Sequence, residues 1–301
     1  KDGVTTLSTS ELKVTWDMEA GSLVFTDNTG NVLLKEKPQA YSDKSQTFIL
    51  DDDEAVYGLG QHQHGILNQR GMNVFLQQVN MEIGIPVIHS VKGYAVFWDN
   101  NSSTWFRDNA EGMTFESETG DFCDYYFIKG EDADGVIDGL RTLTGESPML
   151  PLWNFGFIQS KERYASQDEL VAVVQKYRDL GIPLDAIVQD WRYWGDDHHW
   201  WNAVEFLSPE FPDPKGLMEQ LKELNANVLI SIWPSFGPNT NIYRELAEKD
   251  LLMAHETFPQ DHGVKVYDPW NPQARDIYWK YIKKNMFDIG ISGWWLDATE
   301  P

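Results

Sequence analysis

The chain has 301 residues, enough for two domains, and carries a formal net charge of −23. That balance argues against nucleic acid, which is held by clustered Lys and Arg, and against an anionic membrane surface. No apolar run approaches the roughly 20 residues of a membrane span, and the sole cysteine, Cys123, excludes an internal disulfide and leaves the redox compartment open.

The first residue is Lys1 and no signal peptide follows, so the expectation is that earlier residues were processed off or left out. The compositional signal that stands out is 13 Trp, 12 Tyr and 15 Phe. Most of these rings must fill cores, but aromatic faces also stack on sugars, and position has to separate the two uses.

Up to Asp134 the pattern is β. Leu12-Lys13-Val14-Thr15-Trp16 alternates as a half-buried strand does, and similar runs follow at Ser22–Thr26, Val32–Lys35, Thr47–Leu50, Asn73–Val79, Gly93–Trp98, Met113–Glu118 and Tyr125–Ile128. Turn residues such as Asp27-Asn28-Thr29-Gly30 separate them. Many short strands without a long helix predict an antiparallel β-sandwich over residues 1–134.

From Gly135 the period changes. A short helix over Val136 to Leu143 and the Pro-bracketed Ser147-Pro148-Met149-Leu150-Pro151 make residues 135–150 a linker, and strand and helix then alternate over 151–301. Trp153–Gln159 is the expected first strand. Ser166 with Glu169 forms a capping box for a helix running to Gly181, which would bury Leu170, Val173, Val174, Tyr177 and Leu180. Leu184–Asp190 is the second strand, Asp213-Pro214 opens the next helix, and Asn227–Trp233 is the third strand. Tyr243 to Ala254 is a less regular helical stretch. Asn271-Pro272 starts a long helix with Ile277, Tyr278, Tyr281 and Ile282 on its apolar face. Gly290 stops it, and Ile291–Asp297 is the fourth strand. Nearly all-apolar strands alternating with helices predict a buried parallel sheet, and four of them make the first half of a (β/α)₈ barrel.

Active sites of such barrels lie at the carboxyl ends of the strands. These ends are Gln159-Ser160-Lys161-Glu162-Arg163, Gln189-Asp190-Trp191, Trp233-Pro234 and Asp297-Ala298-Thr299-Glu300. An Asp after a strand is commonly only the N-cap of the next helix, and taken singly either Asp reads that way. Two of them, with Trp191, Trp233 and Trp295 beside or among them, shift the balance toward a sugar-cleaving site. Such a site needs acceptors for hydroxyls, aromatic faces for the ring and an anion under the anomeric carbon. Asp185 is five residues before Asp190 and so points to the opposite face.

Other clusters are weaker. His62-Gln63-His64 and His198-His199 lack the Cys or carboxylate spacing of a zinc set and read as solvated loop histidines. Cys123 has no paired-histidine signature of a thiol nucleophile. Gly58-Leu59-Gly60 lacks the third glycine of a dinucleotide loop and reads as a bend. Asn100 and Asn101 stand in Asn-x-Ser sequons that matter only in a eukaryotic secretory setting.

Six motifs together resemble glycoside hydrolase family 31, and within it most the bacterial α-xylosidase branch. They are Tyr57-Gly58-Leu59-Gly60-Gln61, Lys92 to Asn100, Gln159 to Tyr164, Ile187 to Trp194, Phe211-Pro212-Asp213-Pro214 and Trp294 to Pro301. The resemblance implies a retaining, exo-acting α-glycosidase that releases a terminal sugar, with xylose favoured, from short oligosaccharides. Asp297 matches the family's nucleophile. Asp190 matches the carboxylate that binds ring hydroxyls in the −1 subsite, with Trp191, Trp233 and Trp295 on or near its walls. Gln61 matches a sandwich loop that reaches toward the site. No metal or organic cofactor is expected, and relatives working in the periplasm or outside the cell give the only pointer to location.

A retaining enzyme needs a second carboxyl group about 5–5.5 Å from the nucleophile. In this family it is an Asp well past the nucleophile, and Glu300, three residues on, is expected to orient the neighbouring loop instead. The expectation is therefore an N-terminal fragment that ends just after the nucleophile motif, lacks the acid/base, is catalytically incompetent and is poorly soluble. Between Asn100 and Tyr125 there is no room for the extra carbohydrate-contacting module of xyloglucan-active relatives. Alternatives are an α-glucosidase, an α-galactosidase or a transglycosylase of the same fold. From a different class, the chain could be a non-catalytic carbohydrate-binding relative. The oligomeric state is not readable.

Overall fold

The computed structural model describes residues 3–299, without the side chain of Gln39. The chain divides into two compact units between Pro148 and Met149.

The first unit contains β1 (Val4–Ser8), β2 (Leu12–Asp17), β3 (Ser22–Asp27), β4 (Val32–Ser42), β5 (Ser45–Ile49), β6 (Val56–Gln61), β7 (Asn73–Leu76), β8 (Ile83–Ser90), β9 (Tyr94–Trp98), β10 (Thr104–Asn109), β11 (Gly112–Ser117), β12 (Tyr125–Lys129) and the helix α1 (Ala133–Thr144). Eight strands form one antiparallel sheet in the order β1-β2-β3-β4-β5-β11-β10-β7, and β12-β9-β8-β6 form a second. This is the expected sandwich. Phe48, Phe106 and Phe115 from the first sheet and Leu59, Ile88 and Trp98 from the second are fully buried in one cluster. Each such side chain stabilises the fold by about 1.5–3 kcal/mol. Alternation along β9 explains how the smaller sheet is covered twice. Tyr94, Val96 and Trp98 enter the sandwich core, whereas Ala95 and Phe97 pack on the other face with Val136 and Leu140 of α1.

β1, β6, β8 and β10 lie outside the strands read from the sequence, and in three of these the sequence itself hides the strand. All five residues of β1 are exposed, Gly84 and Pro86 interrupt β8, and β6 holds Gly58-Leu59-Gly60. The last is a β-bulge inside a continuing strand rather than a bend: the pairing with β8 shifts between Gly58 and Gly60. A Cβ on Gly60 would stand 1.9 Å from the Ile83 carbonyl oxygen, so only glycine fits. The Asp27 turn is as expected. Its carboxyl is held down to about 2, chiefly by the Thr29 hydroxyl and further by the Asn31 side chain and the Thr29 and Asn31 amides.

Behind the bulge, Glu54 is a buried acceptor. It takes hydrogen bonds from Ser90 and Tyr94 and pairs with Lys92 Nζ at 3.0 Å. Arg70 donates to the Glu54 carbonyl and pairs with Asp108 at 2.8 Å. These bonds close the connection between β6 and β7. His62 on that connection is not the solvated loop histidine its sequence suggested. Its side chain is 3% exposed, with Nε2 2.8 Å from the Leu59 carbonyl oxygen and Nδ1 3.4 Å from Glu82. Cys123 is half-buried, and burial, with Glu36 and Asp124 nearby, pushes its thiol up to about 11, which suppresses the reactive thiolate.

The second unit contains β13 (Ile158–Gln159), α2 (Gln167–Asp179), β14 (Ala186–Gln189), α3 (Pro214–Glu223), β15 (Asn227–Ile232), β16 (Ser235–Phe236), α4 (Asn241–Ala247), β17 (Lys265–Val266), α5 (Pro272–Asn285) and β18 (Gly293–Leu296). β13, β14, β15 and β18 lie side by side, parallel and in sequence order. The helix starts follow the caps. Ser166, Asp213, Thr240 and Asn271 each accept a backbone N–H of the first turn, and Pro214 and Pro272 open their helices. In the capping box, the Glu169 carboxylate reaches back to the Ala165 amide at 2.6 Å.

Three expectations are corrected. The run from Trp153 is mostly a 3₁₀ turn, Leu152–Phe155, and the strand is confined to Ile158–Gln159, because Pro151 starts the turn and Asp185 holds the Phe157 amide at 3.0 Å. The stretch from Tyr243 is helical only over Asn241–Ala247. Leu180 is 61% exposed, because it follows the last turn of α2 as its C-cap.

Candidate active site

The parity of the strands decides which side chains can meet. On β15, Val228, Ile230 and Ile232 join the core cluster with Leu217 and Leu221 of α3 and Ile277 and Ile282 of α5. Leu229 and Ser231 therefore face the opposite side, the inner face of the sheet. On β14, Ile187 joins the helix-side cluster, so Val188 and Asp190 point inward. On β18, Trp294 packs on the helix side, which turns Trp295 and Asp297 inward. Asp190 and Asp297 thus stand on one face, at the carboxyl ends of strands two apart.

The register fixes their levels. Gln189 pairs with Ile230 and Ser231 with Trp295, so Asp190 lies level with Ser231 on the strand between the two carboxylates. Both Asp residues are held by the backbone that follows them. Asp190 Oδ1 accepts the Trp191 amide at 2.7 Å, and Asp297 Oδ1 accepts the Ala298 amide at 3.0 Å. A left-handed residue follows each, Arg192 at φ 63° and Ala298 at φ 43°. The Asp297 amide itself donates to the Ile232 carbonyl oxygen at 3.1 Å, which extends the β18 ladder to the carboxylate.

Burial raises the Asp190 carboxyl above its ordinary value. The Trp191 amide and Ser231 offset part of that, while the charges of Asp297 and Glu162 add to it. A carboxyl raised in the fold binds more protons than in the unfolded chain, so it costs stability progressively as pH rises through its unfolded and then its folded value. Asp190→Asn is therefore expected to raise Tm at neutral pH, with the gain vanishing below about pH 3.8, the unfolded Asp range. Thermal melts at both pH values check it, and a Tm unchanged or lowered at pH 7 contradicts it.

The tryptophans are only partly gathered. Trp191 and Trp233 are joined through Trp201, at ring distances of 5.7 and 4.8 Å, and Phe258 closes the group against Trp201 and Trp233. The Arg192 guanidinium lies 4.1 Å over the Trp191 ring. Asn202 ties this group to the third strand end by donating to the Trp233 and Ser235 carbonyl oxygens at 2.6 and 3.0 Å. Beside it, Trp233, Phe258 and Ala298 help line a cavity of about 130 Å³. Trp295 belongs with Asp297 on β18 and is 43% exposed. Sequence reading missed Trp201, Asn202, Ser231 and Phe258. Trp200-Trp201-Asn202 after the second strand was the available signal for the first two.

Gln61 ends β6 in the first unit, where it helps line a cavity of about 530 Å³ with His62, His64 and Gln69. Glu300 lies outside the described residues. His198 is half-buried rather than solvated, its ring 4.8 Å from that of His262. Burial lowers its pKa, and so do the neighbouring His262 and Arg192. Among the described residues no group of three His, Cys, Asp or Glu side chains is arranged to hold a metal, and no helix is long and apolar enough to cross a membrane.

Comparison with known proteins decides the family. The Glycosyl hydrolases family 31 TIM-barrel domain matches residues 147–301, and the Glycosyl hydrolase 31 N-terminal galactose mutarotase-like domain matches residues 1–106. The chain belongs to glycoside hydrolase family 31. Its two units are accordingly the family's N-terminal β-sandwich and part of its TIM barrel. An alpha-xylosidase of Saccharolobus solfataricus is 39% identical over 99% of this chain and 42% of its own length, and alpha-xylosidase A of Aspergillus niger is 30% identical over 84% and 35%. Among solved structures, the family 31 alpha-xylosidase of Xanthomonas citri matches with a TM-score of 0.93 at 25% identity, over 100% of this chain and 51% of that one. An alpha-xylosidase from a soil metagenome, solved with xylose, matches at 0.86 and 27%, over 99% and 50%. The chain thus spans about half the length of these relatives or less.

Proposed function

We propose that this chain carries the nucleophile side of the active site of a retaining, exo-acting α-glycosidase that releases terminal α-xylose from short oligosaccharides. The observation that carries the reading is the placement of Asp190 and Asp297 on one inner face, at strand ends, with Trp295 below one and Trp191 beside the other. Asp297 is the nucleophile that forms the glycosyl-enzyme, and Asp190 accepts hydrogen bonds from the ring hydroxyls. Asp190 is not the acid/base. Its strand is two spacings from β18, about 9.5–10 Å between backbones, whereas a retaining pair needs about 5–5.5 Å between carboxyls. That role is assigned to no residue described here. Xylose is favoured over glucose by the alpha-xylosidases among the similar proteins.

The test is hydrolysis of aryl α-xyloside and aryl α-glucoside by the full-length gene product. Xyloside is expected to be preferred by at least about tenfold in kcat/KM, the discrimination that one hydroxymethyl group in a fitted pocket provides. Preference for the glucoside keeps the mechanism and overturns the sugar. No turnover of either, nor of aryl α-galactoside, together with binding of free sugar, overturns catalysis in favour of a binding protein.

A further inference from the structure

Ser231 is the one residue of β15 that stands level with Asp190 and between the strands of the two carboxylates. It is fully buried, and its hydroxyl has no hydrogen-bond partner of ordinary geometry among the described residues. A buried hydroxyl left unpaired costs about 1–3 kcal/mol, and alanine would fill the same space without that cost. The backbone around it is firmly tied. Tyr193, three residues past Asp190 and itself fully buried, donates its hydroxyl to the Ser231 carbonyl oxygen at 2.9 Å. The loop carrying Asp190 and the strand carrying Ser231 are therefore held at one level by a bond that leaves the serine hydroxyl free to turn toward Asp190.

We propose that Ser231 is a positioning residue whose hydroxyl is a donor reserved for the Asp190 carboxylate, so that the strand between the two acids orients the one that binds sugar. The inference rests on the role given to Asp190 above. The carboxylate needs such a donor because its other charged neighbours oppose it. Asp297 faces it from β18 and Glu162 from the loop after β13, while the buried Tyr193 phenol on its own loop donates elsewhere. Ser231 is the neighbour on β15 that favours the ionised acid, alongside the Trp191 amide. A hydroxyl rotation is all that is needed for Oγ to donate when the carboxylate engages a sugar hydroxyl, and the acid then keeps a fixed direction in both states.

The experiment uses Ser231→Ala and Asp190→Asn in the full-length gene product, with the pH profile of kcat/KM on an aryl α-glycoside that the wild type hydrolyses and Tm measured beside it. Ser231→Ala is expected to keep or raise Tm, to lose about tenfold in kcat/KM near its acid limb, and to move that limb upward by about one pH unit, the size of one charge-assisted hydrogen bond. A merely structural serine would leave the limb in place. An unmoved limb in Ser231→Ala, with Asp190→Asn strongly impaired, overturns the inference and leaves the proposed function standing. A large fall in Tm also overturns it. Wild-type activity in Asp190→Asn removes the role of Asp190 itself.

Discussion

Asp297→Ala in the full-length gene product is expected to lose at least about 10⁴-fold in kcat on its best aryl α-glycoside, with Tm within a few degrees of wild type. The magnitude follows from removing the group that forms the covalent intermediate, since nucleophile deletions elsewhere cost factors of 10⁴ to 10⁶. The fold tolerates the change because the bond that extends β18 runs from the Asp297 backbone amide to Ile232 and survives it. Asp190 cannot replace it, being two strands away and engaged with the Trp191 amide. A small anion can. Azide is expected to restore turnover by entering the space left by the carboxylate and attacking from the same side, and the product is then a glycosyl azide of β configuration. Retention of more than about a tenth of wild-type kcat would assign the nucleophile elsewhere, and an α-configured azide would remove the double-displacement mechanism.

The two ends of this site were unequally legible. Asp190 and Asp297 could be found because each terminates a strand of nearly continuous apolar residues, and strand parity then dictates that both face inward. Ser231 could not. A serine inside Val228-Leu229-Ile230-Ser231-Ile232 carries no signal until the register sets it level with Asp190. Phe258 was equally silent, because loops place side chains by tertiary contact and have no period to read. The same division runs through the fold. Helix starts were legible from Ser166, Asp213 and Asn271, whose capping is local chemistry. The first barrel strand was not, because an apolar run such as Trp153–Ile158 suits a 3₁₀ turn as well as a strand, and the deciding bond comes from Asp185, more than 25 residues on. In the sandwich, β6 and β8 were hidden by the glycines and proline that shape them.

Glu54→Ala is the largest expected effect on stability, a loss of about 3–5 kcal/mol, the cost of breaking a buried ion pair by removing one partner. The carboxylate has no exposed side-chain surface, and it serves four donors at once: Lys92 at 3.0 Å, the Asp51 amide at 3.2 Å, Ser90 and Tyr94. Alanine leaves two buried hydroxyls without their acceptor, one of them on the fully buried Tyr94. Lys92 is less damaged, because it also pairs at 2.6 Å with the exposed Asp51. That asymmetry sets a second expectation. Glu54→Gln keeps an acceptor oxygen of the same reach for Ser90 and Tyr94 but turns an NH2 toward Lys92 and the Asp51 amide in place of the second oxygen, so it should cost less than Glu54→Ala, about 1–3 kcal/mol. Denaturant unfolding of both variants, read by aromatic fluorescence, makes the comparison. If the two cost the same, the charge on Lys92 dominates and the hydroxyl donors contribute little. If neither costs more than about 0.5 kcal/mol, the size of an ordinary surface substitution, the Glu54 cluster does not hold the sandwich together. The connection from Gln61 through His62 to Arg70 is then secured by its other bonds, among them the Arg70–Asp108 pair, the Arg70 bond to the Glu54 carbonyl oxygen and the His62 bond to the Leu59 carbonyl oxygen.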